Sequence, residues 1–271
     1  MTEPPENAVT RELGGHYRLF LDYARSYDSG NPQEDRYLRL KEEHSLRVLE
    51  TARRIADEEG DFSEPDARRA LLLAALYHDL ARFPQYARFK TFSDPRSFNH
   101  GLMAGRELGR LGFLDGEAPG VARPARAAVV LHNRPALPDG AAGLPGAFRT
   151  VAGALRDADK LDILRVMEEA LRPGTAPDPT ILLHVADSPE FTPAILGAVR
   201  AGRMALYSDM RSTTDFRILL CAWFYDLNYP ASRRLAARGG HYHAIIRSLP
   251  DHPDLNAFAE KFHAELALAG A

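Results

Sequence analysis

Apolar residues recur along this chain at three- and four-residue intervals, and strand-like alternation is scarce, so the pattern predicts helices almost throughout. After a polar, proline-containing start over residues 1 to 15, aromatic and aliphatic positions from 16 to 27 keep helical spacing up to the breaker Ser29-Gly30-Asn31-Pro32. Residues 35 to 59 form the next expected helix, with His44, Val48, Ala52 and Ile55 on one face and Gly60 as its stop. A third starts near Ser63-Glu64-Pro65-Asp66, where Ser63 is placed to cap and Pro65 suits the first turn, and it runs to His78-Asp79. The stretch 83 to 96 reads as loop. Residues 98 to 111 align His100, Ala104, Leu108 and Leu111, and a short helix over 125 to 132 is stopped by Asn133-Arg134-Pro135. Residues 135 to 146 read as loop, and residues 147 to 171 carry Val151, Leu155, Asp159, Asp162 and Val166 in the 3.6-residue period. Prolines and glycine between 173 and 179 break the chain again, and helical patterns predominate beyond them. There "AWFYDLNYPASRRL" reads as a helix packed over the core. The expectation is an all-α chain with an N-terminal helix and loop at 1–34, a helical core at 35–171 and a helical extension at 172–271 packed on that core.

One departure from this pattern carries chemistry. The apolar run Ala70-Leu71-Leu72-Leu73-Ala74-Ala75-Leu76-Tyr77 leads straight into His78-Asp79, which places a carboxylate where burial forbids an uncompensated charge. An ion pair or a metal must balance it. His44, His100, His132 and Asp159 each fall on the apolar stripe of a different expected helix. A single histidine in such a place is more often a core residue hydrogen-bonded to backbone. Several, presented with carboxylates from separate rigid helices, make the inventory of a centre for a divalent ion such as manganese, iron, cobalt, nickel or zinc. For Asp159 the competing explanation is an ion pair on its own helix. Among Arg156, Lys160 and Arg165 only Arg156 shares its face, because Lys160 is rotated by about 100°. Asp162 is expected to support the site or the helix. His241 and His243 in "GGHYH" have no accompanying carboxylate or cysteine pattern, and surface or loop positions are expected for them.

Composition narrows the setting. The 271-residue chain has ample length for a core, its formal net charge of -3 lacks the basic excess of a dedicated nucleic-acid binder, and its one cysteine, Cys221, sits in an apolar run that suits a buried thiol in a reducing compartment. The first ten residues show no basic segment followed by an apolar one, and no apolar run approaches the roughly 20 residues of a membrane span. The expected location is therefore cytoplasmic, without a membrane partner, and an anionic substrate must be met by local arginines and lysines. Neither a Gly-x-x-x-x-Gly-Lys-Ser/Thr phosphate loop nor a Gly-x-Ser-x-Gly elbow occurs.

The order His44, His78-Asp79, His100, His132, Asp159, with "ALYHDLARF" and "RDADKLDIL" around it, resembles the HD-domain superfamily of metal-dependent phosphohydrolases over roughly residues 40 to 170. "HDLARF", "LHNRPALP" and "DADKLD" are similar to bacterial members described as predicted hydrolases. The resemblance implies a helical HD bundle with additional C-terminal helices. It also implies His44, His78, Asp79 and Asp159 as the minimal ligand set, and His100 and His132 as ligands toward a second ion, with the carboxylate of the pair often bridging. Many two-metal relatives have a double histidine where this chain has His132-Asn133, so the resemblance leaves one or two ions open. The implied reaction is hydrolysis of a phosphate ester or anhydride of a small metabolite or nucleotide by a metal-activated water. Asp79 would orient that water, and Arg82 and Lys160 would meet the phosphate ahead of Arg134, Arg47, Lys90 and Arg96. The same resemblance extends to two-iron oxygenases and to regulatory binding modules. Such modules usually lose ligands, and all four minimal ones are present.

Overall fold

The structure, a computed structural model, describes residues 12–138, 147–172, 174–175, 178, 180–182 and 185–271. Among these the secondary structure is helical and no strand forms; Ala186 and Ser212 make an isolated bridge. The chain divides into two compact units, Met1–Asp159 and Lys160–Ala271. The division falls inside the helix expected over 147 to 171, and the Pro/Gly-rich segment after that helix, like the loop over 139 to 146, lies largely outside the described residues.

The first unit contains α1 (Gly15–Arg25), α2 (Pro32–Glu58), α3 (Pro65–Tyr77), α4 (Arg82–Phe89), α5 (His100–Leu111), α6 (Pro119–Leu131) and the first half of α7 (Phe148–Ala170). Its axis is α3. Residues 70 to 77 are apolar on every side and each is 0% exposed, which a helix can be only when neighbours cover its whole circumference. α2 and α6 both pack against it, burying Val48, Leu49, Ala52 and Ile55 from one and Val121, Ala125, Ala128 and Val129 from the other. The Asn31 side chain accepts from Gln33 N at the start of α2, and Pro32 needs no donor there.

Several boundaries differ from the sequence expectation. Ser63 does not cap α3, because its hydroxyl donates to Gly60 O and Glu64 stands at the N-cap. The stretch 83 to 96 is not loop. It forms α4 and a 3-10 turn, Asp94–Arg96, since Pro84 falls in the first turn, where a missing N–H costs nothing, while Phe83, Gln85 and Tyr86 are buried. Lys90, at φ 52°, ends α4 in the left-handed region. α6 begins at Pro119, ahead of the expected start at 125, and carries Pro124 inside it.

α5 and α6 approach closely because α5 presents glycines to the contact. A Cβ at Gly105 would stand 2.2 Å from Val130 Cγ2, and one at Gly101 would stand 2.9 Å from Val130 O. That approach brings the first residue of α5, His100, up to His132, which follows the last residue of α6.

The second unit holds the rest of α7 with α8 (Pro193–Arg200), α9 (Thr213–Ala222), α10 (Pro230–Arg238), α11 (His241–Arg247) and α12 (Pro253–Gly270). Met167, Ile195, Val199, Phe216, Leu219, Phe258 and Phe262 belong to its core. Cys221 is a buried free thiol, and burial pushes its pKa up. "AWFYDLNYPASRRL" is not one helix: α9 ends at Ala222, residues Trp223–Asp226 form a 3-10 turn, and α10 restarts at Pro230, which has no N–H with which to continue a helix. His241 and His243 are on α11 and half-buried, not in a loop, and His243 Nδ1 lies 2.8 Å from His263 Nδ1. No helix among the described residues is long and apolar enough to cross a membrane.

Candidate metal centre

Five helices of the first unit deliver the six side chains singled out in the sequence. His44 projects from the middle of α2, His78 and Asp79 follow α3, His100 opens α5, His132 follows α6, and Asp159 lies one turn beyond Arg156 on α7. His44, His78, Asp79 and His132 are nearly inaccessible, at 4% exposure or less, and Asp159 is half-buried. Their donor atoms form three overlapping groups, each within 4.8 Å: His44, His78 and Asp79; His78, His132 and Asp159; and Asp79, His100 and His132. His44 Nε2 lies 3.2 Å from His78 Nε2 and 3.1 Å from Asp159 Oδ1. On the other side His100 Nε2 lies 3.1 Å from His132 Nε2 and 3.6 Å from Asp79 Oδ1.

The tautomers follow from the partners of the far nitrogens. His78 Nδ1 donates to Ala75 O at 2.8 Å, His132 Nδ1 donates to Val129 O at 2.7 Å, and His100 Nδ1 meets Asp94 Oδ2 at 2.7 Å. In the neutral imidazole each Nε2 therefore keeps its lone pair and turns it toward the others. Lone pairs crowded to about 3 Å repel one another unless a cation lies among them. Asp159 Oδ1 is shielded from water and accepts no hydrogen bond of proper geometry among the described residues, an unsatisfied carboxylate oxygen aimed into the same space. Imidazole nitrogens with carboxylate oxygens suit a divalent transition metal, so these residues fit the ion that the sequence pattern implies.

Positive charge reaches the centre from residues on two helices. Lys41, three residues before His44 on α2, places Nζ 2.7 Å from Asp79 Oδ2. Arg82, at the start of α4, places Nε 3.3 Å from Asp79 Oδ1. Burial opposes ionisation of Asp79, but Lys41, His78, Arg82 and His100 outweigh it and hold the carboxyl well below its usual range. Asp159 is likewise held low, against burial, by His44 and His78. Burial also works against charge on His78, yet Asp79 and Asp159 raise its pKa; His100 is lowered by burial and by Arg82.

Asp94 organises the outer edge. Its Oδ2 accepts from His100 Nδ1 and, at 3.2 Å, from Asn133 Nδ2; its Oδ1 accepts from Arg82 Nη1 and Gln85 Nε2, each at 3.1 Å. Asn133, the residue following His132, is thus spent on Asp94. Substituting Asp94→Ala is expected to lower metal affinity on the His100 and His132 side by about 10- to 100-fold, because His100 loses the acceptor that orients its ring. A chelator-competition titration reads this directly, and wild-type affinity in the variant would contradict it.

A pH dependence follows from His132. Burial first, and then the charges of His100 and His78, push its pKa down to about 3. The unfolded chain protonates this histidine near pH 6.5, so the unfolded state binds more protons below that pH. Stability from His132 is complete above about pH 6.5 and is lost as pH falls toward 3, at no more than about 1.4 kcal/mol per pH unit. Asp79 and Asp159, both held low, affect stability only below about pH 4, beneath the interval from pH 7 to pH 5, and His78, raised, acts in the opposite sense. Denaturant midpoints of metal-free protein should fall less between pH 7 and pH 5 in His132→Gln than in wild type, and parallel profiles would exclude this role.

Of the cations weighed in the sequence, Arg82 reaches Asp79. Lys160 extends within the second unit to Asp226, 2.5 Å from its carboxylate. Lys90 pairs with Glu34 and Arg47 with Glu43, while Arg134 has an exposed side chain. Arg156 directs its guanidinium to main-chain carbonyls, and Asp162 pairs with Arg165 at 3.2 Å. Lys41 and Asp94 were missed in the sequence. Lys41 had a signal, a position one turn from His44, whereas Asp94 stands in a stretch that reads as loop.

A helical unit with histidines and aspartates gathered from five helices defines a class of metal-site architecture. The family model of the HD domain matches residues 42–187, more than half of the chain, and the protein belongs to the HD-domain family, whose members are mostly metal-dependent hydrolases. No curated protein and no solved structure matches the chain.

Proposed function

We propose that this protein is a metal-dependent phosphohydrolase that cleaves a phosphate ester or anhydride of a small metabolite or nucleotide. The observation that carries the reading is the environment of Asp79, shared by two of the three donor groups and flanked by Lys41 on one oxygen and Arg82 on the other. His44, His78, Asp79 and Asp159 would hold one divalent ion, and His100 and His132 with Asp79 a second. When bound, such ions lower the pKa of water toward neutrality and neutralise phosphoryl oxygens, which supplies nucleophile and electrophile without a covalent enzyme intermediate.

The chain's own residues supply the rest. Asp79 orients the attacking water with the oxygen lone pairs left over from Lys41 and Arg82. Those two cations, buried to about 85% in their side chains, offer fixed donors to a phosphate. The Phe92 ring lies under both, 5.2 Å from Lys41 Nζ and 5.9 Å from the Arg82 guanidinium carbon, an apolar wall beside the charge.

Elemental analysis of protein purified without a metal-affinity tag or chelator, followed by a panel of phosphomonoesters, diesters, nucleotides and pyrophosphates, tests the reading. One or two divalent ions per chain with phosphate release supports it. Iron with oxygen uptake and no phosphate release would replace it by an oxygenase, and no bound ion after anaerobic supply of iron, manganese, cobalt, nickel and zinc would leave a binding module.

A further inference from the structure

We propose that Arg156 is a positioning residue for the metal centre, locking the main chain that carries His132 into register with Asp159. The inference rests on the reading of these two residues as ligands, and it concerns a side chain to which that reading gives no part.

His132 is exposed to displacement because of where it stands. α6 ends at Leu131, so the carbonyls that follow lie beyond the helical ladder and need donor partners from elsewhere. The His132 ring is tied to its own helix by Nδ1 donating to Val129 O, which sets its rotamer but not its place relative to α7.

Arg156 supplies that link. It is 8% exposed, and from α7 its Nη1 donates to His132 O at 3.0 Å and to Arg134 O, while Nη2 donates to Pro135 O at 3.3 Å. One planar guanidinium thus holds three carbonyls across four residues, a task for which its fixed fork of donors is suited and a lysine ammonium is not. Its positive charge also faces the negative end of α6. Asp159 follows Arg156 by three residues on the same face of the same helix, so a single turn of α7 presents both a carboxylate to the centre and the clamp that places His132. The sequence makes Arg156 the natural ion-pair partner of Asp159. With three donors sent to carbonyls instead, the Asp159 Oδ1 atom faces His44 and His78, where an ion would need it.

A ligand set tolerates displacements of only about 0.5 Å before affinity suffers. Arg156→Met removes the donors while keeping apolar bulk, and Arg156→Lys keeps the charge and reaches fewer carbonyls. Cobalt(II) titrations that record the visible d–d bands and the stoichiometry, with far-UV circular dichroism as the folding control, compare wild type, Arg156→Met, Arg156→Lys and His132→Gln. The expected result is that Arg156→Met reproduces the band changes of His132→Gln with at least a ~10-fold loss of affinity, and that Arg156→Lys falls between it and wild type. Altered cobalt binding in His132→Gln with wild-type bands and affinity in Arg156→Met would overturn the role of Arg156 alone. No cobalt binding by wild type, or none of it altered in His132→Gln, would instead overturn the ligand reading, and this inference with it. If Arg156→Met does not fold, Arg156→Lys decides: a wild-type spectrum and affinity there count against the clamp, and intermediate values count for it.

Discussion

Asp79→Asn is expected to strip the protein of metal and to lower phosphate release by on the order of 10³-fold or more. Asp79 belongs to two of the three donor groups, and its two oxygens face opposite sides of the centre, Oδ2 toward His44 and His78 and Oδ1 toward His100. Asparagine keeps the size but removes the charge and replaces one acceptor with a donor, which points a polarised N–H at a cation on one side or the other. It also strands Lys41 and Arg82, which lose the carboxylate they share, at a cost to the metal-free fold of about 1–3 kcal/mol. Elemental analysis and urea unfolding of chelated protein give the two readouts together. A variant that keeps its ions at wild-type occupancy would remove Asp79 from the centre.

Lys41→Met should have a different signature, because it removes a cation and not a ligand. Lys41 Nζ stands 2.7 Å from Asp79 Oδ2, and its side chain is 15% exposed, so most solvent screening is absent. Without it a carboxylate that burial already penalises is left to Arg82 and the histidines, and the metal-free protein should lose about 1–3 kcal/mol. A divalent ion beside Asp79 restores the missing positive charge. The loss should therefore shrink when manganese or cobalt is saturating, and metal should stabilise the variant more than it stabilises wild type. The proposed phosphohydrolase function would add a kinetic effect through Lys41, a rise in KM of about 10-fold or more for loss of a charge-assisted contact. Urea midpoints with chelator and with metal separate these cases. An equal loss in both would mean that Lys41 contributes packing alone.

The legible parts of this protein share a property: each is written in local spacing. The buried axis was visible because eight consecutive apolar residues, 70 to 77, admit no exposed face, and His78-Asp79 stood out because a carboxylate ends that run. His44 and Asp159 were visible because they interrupt a 3.6-residue period. α4 was not, since Pro84 hides a helix of eight residues whose burial of Phe83 and Tyr86 depends on neighbours distant in sequence. Lys41 stands one turn from His44, but Arg47 stands one turn on the other side, and spacing alone does not say which of the two cations turns toward the centre. Asp94 owes its importance to a 3-10 turn that folds it back on Arg82, Gln85 and His100. Arg156 was legible as a buried charge near Asp159 but not in its choice of partner.

Periodicity and the apolar run alone therefore determined that the chain is helical, which helix is central, and that histidines and aspartates of five segments point inward, because these depend on which face of a helix is apolar. Only the tertiary structure decided which atoms meet near 3 Å: His44 with His78 and Asp159, His100 with His132, Lys41 with Asp79, and Arg156 with the carbonyls of 132 to 135. Those meetings depend on how closely and in what register helices approach, here on the glycine face of α5 against α6 and on the turn after α6. Such approaches are fixed by packing between segments far apart in the chain, which no local pattern encodes.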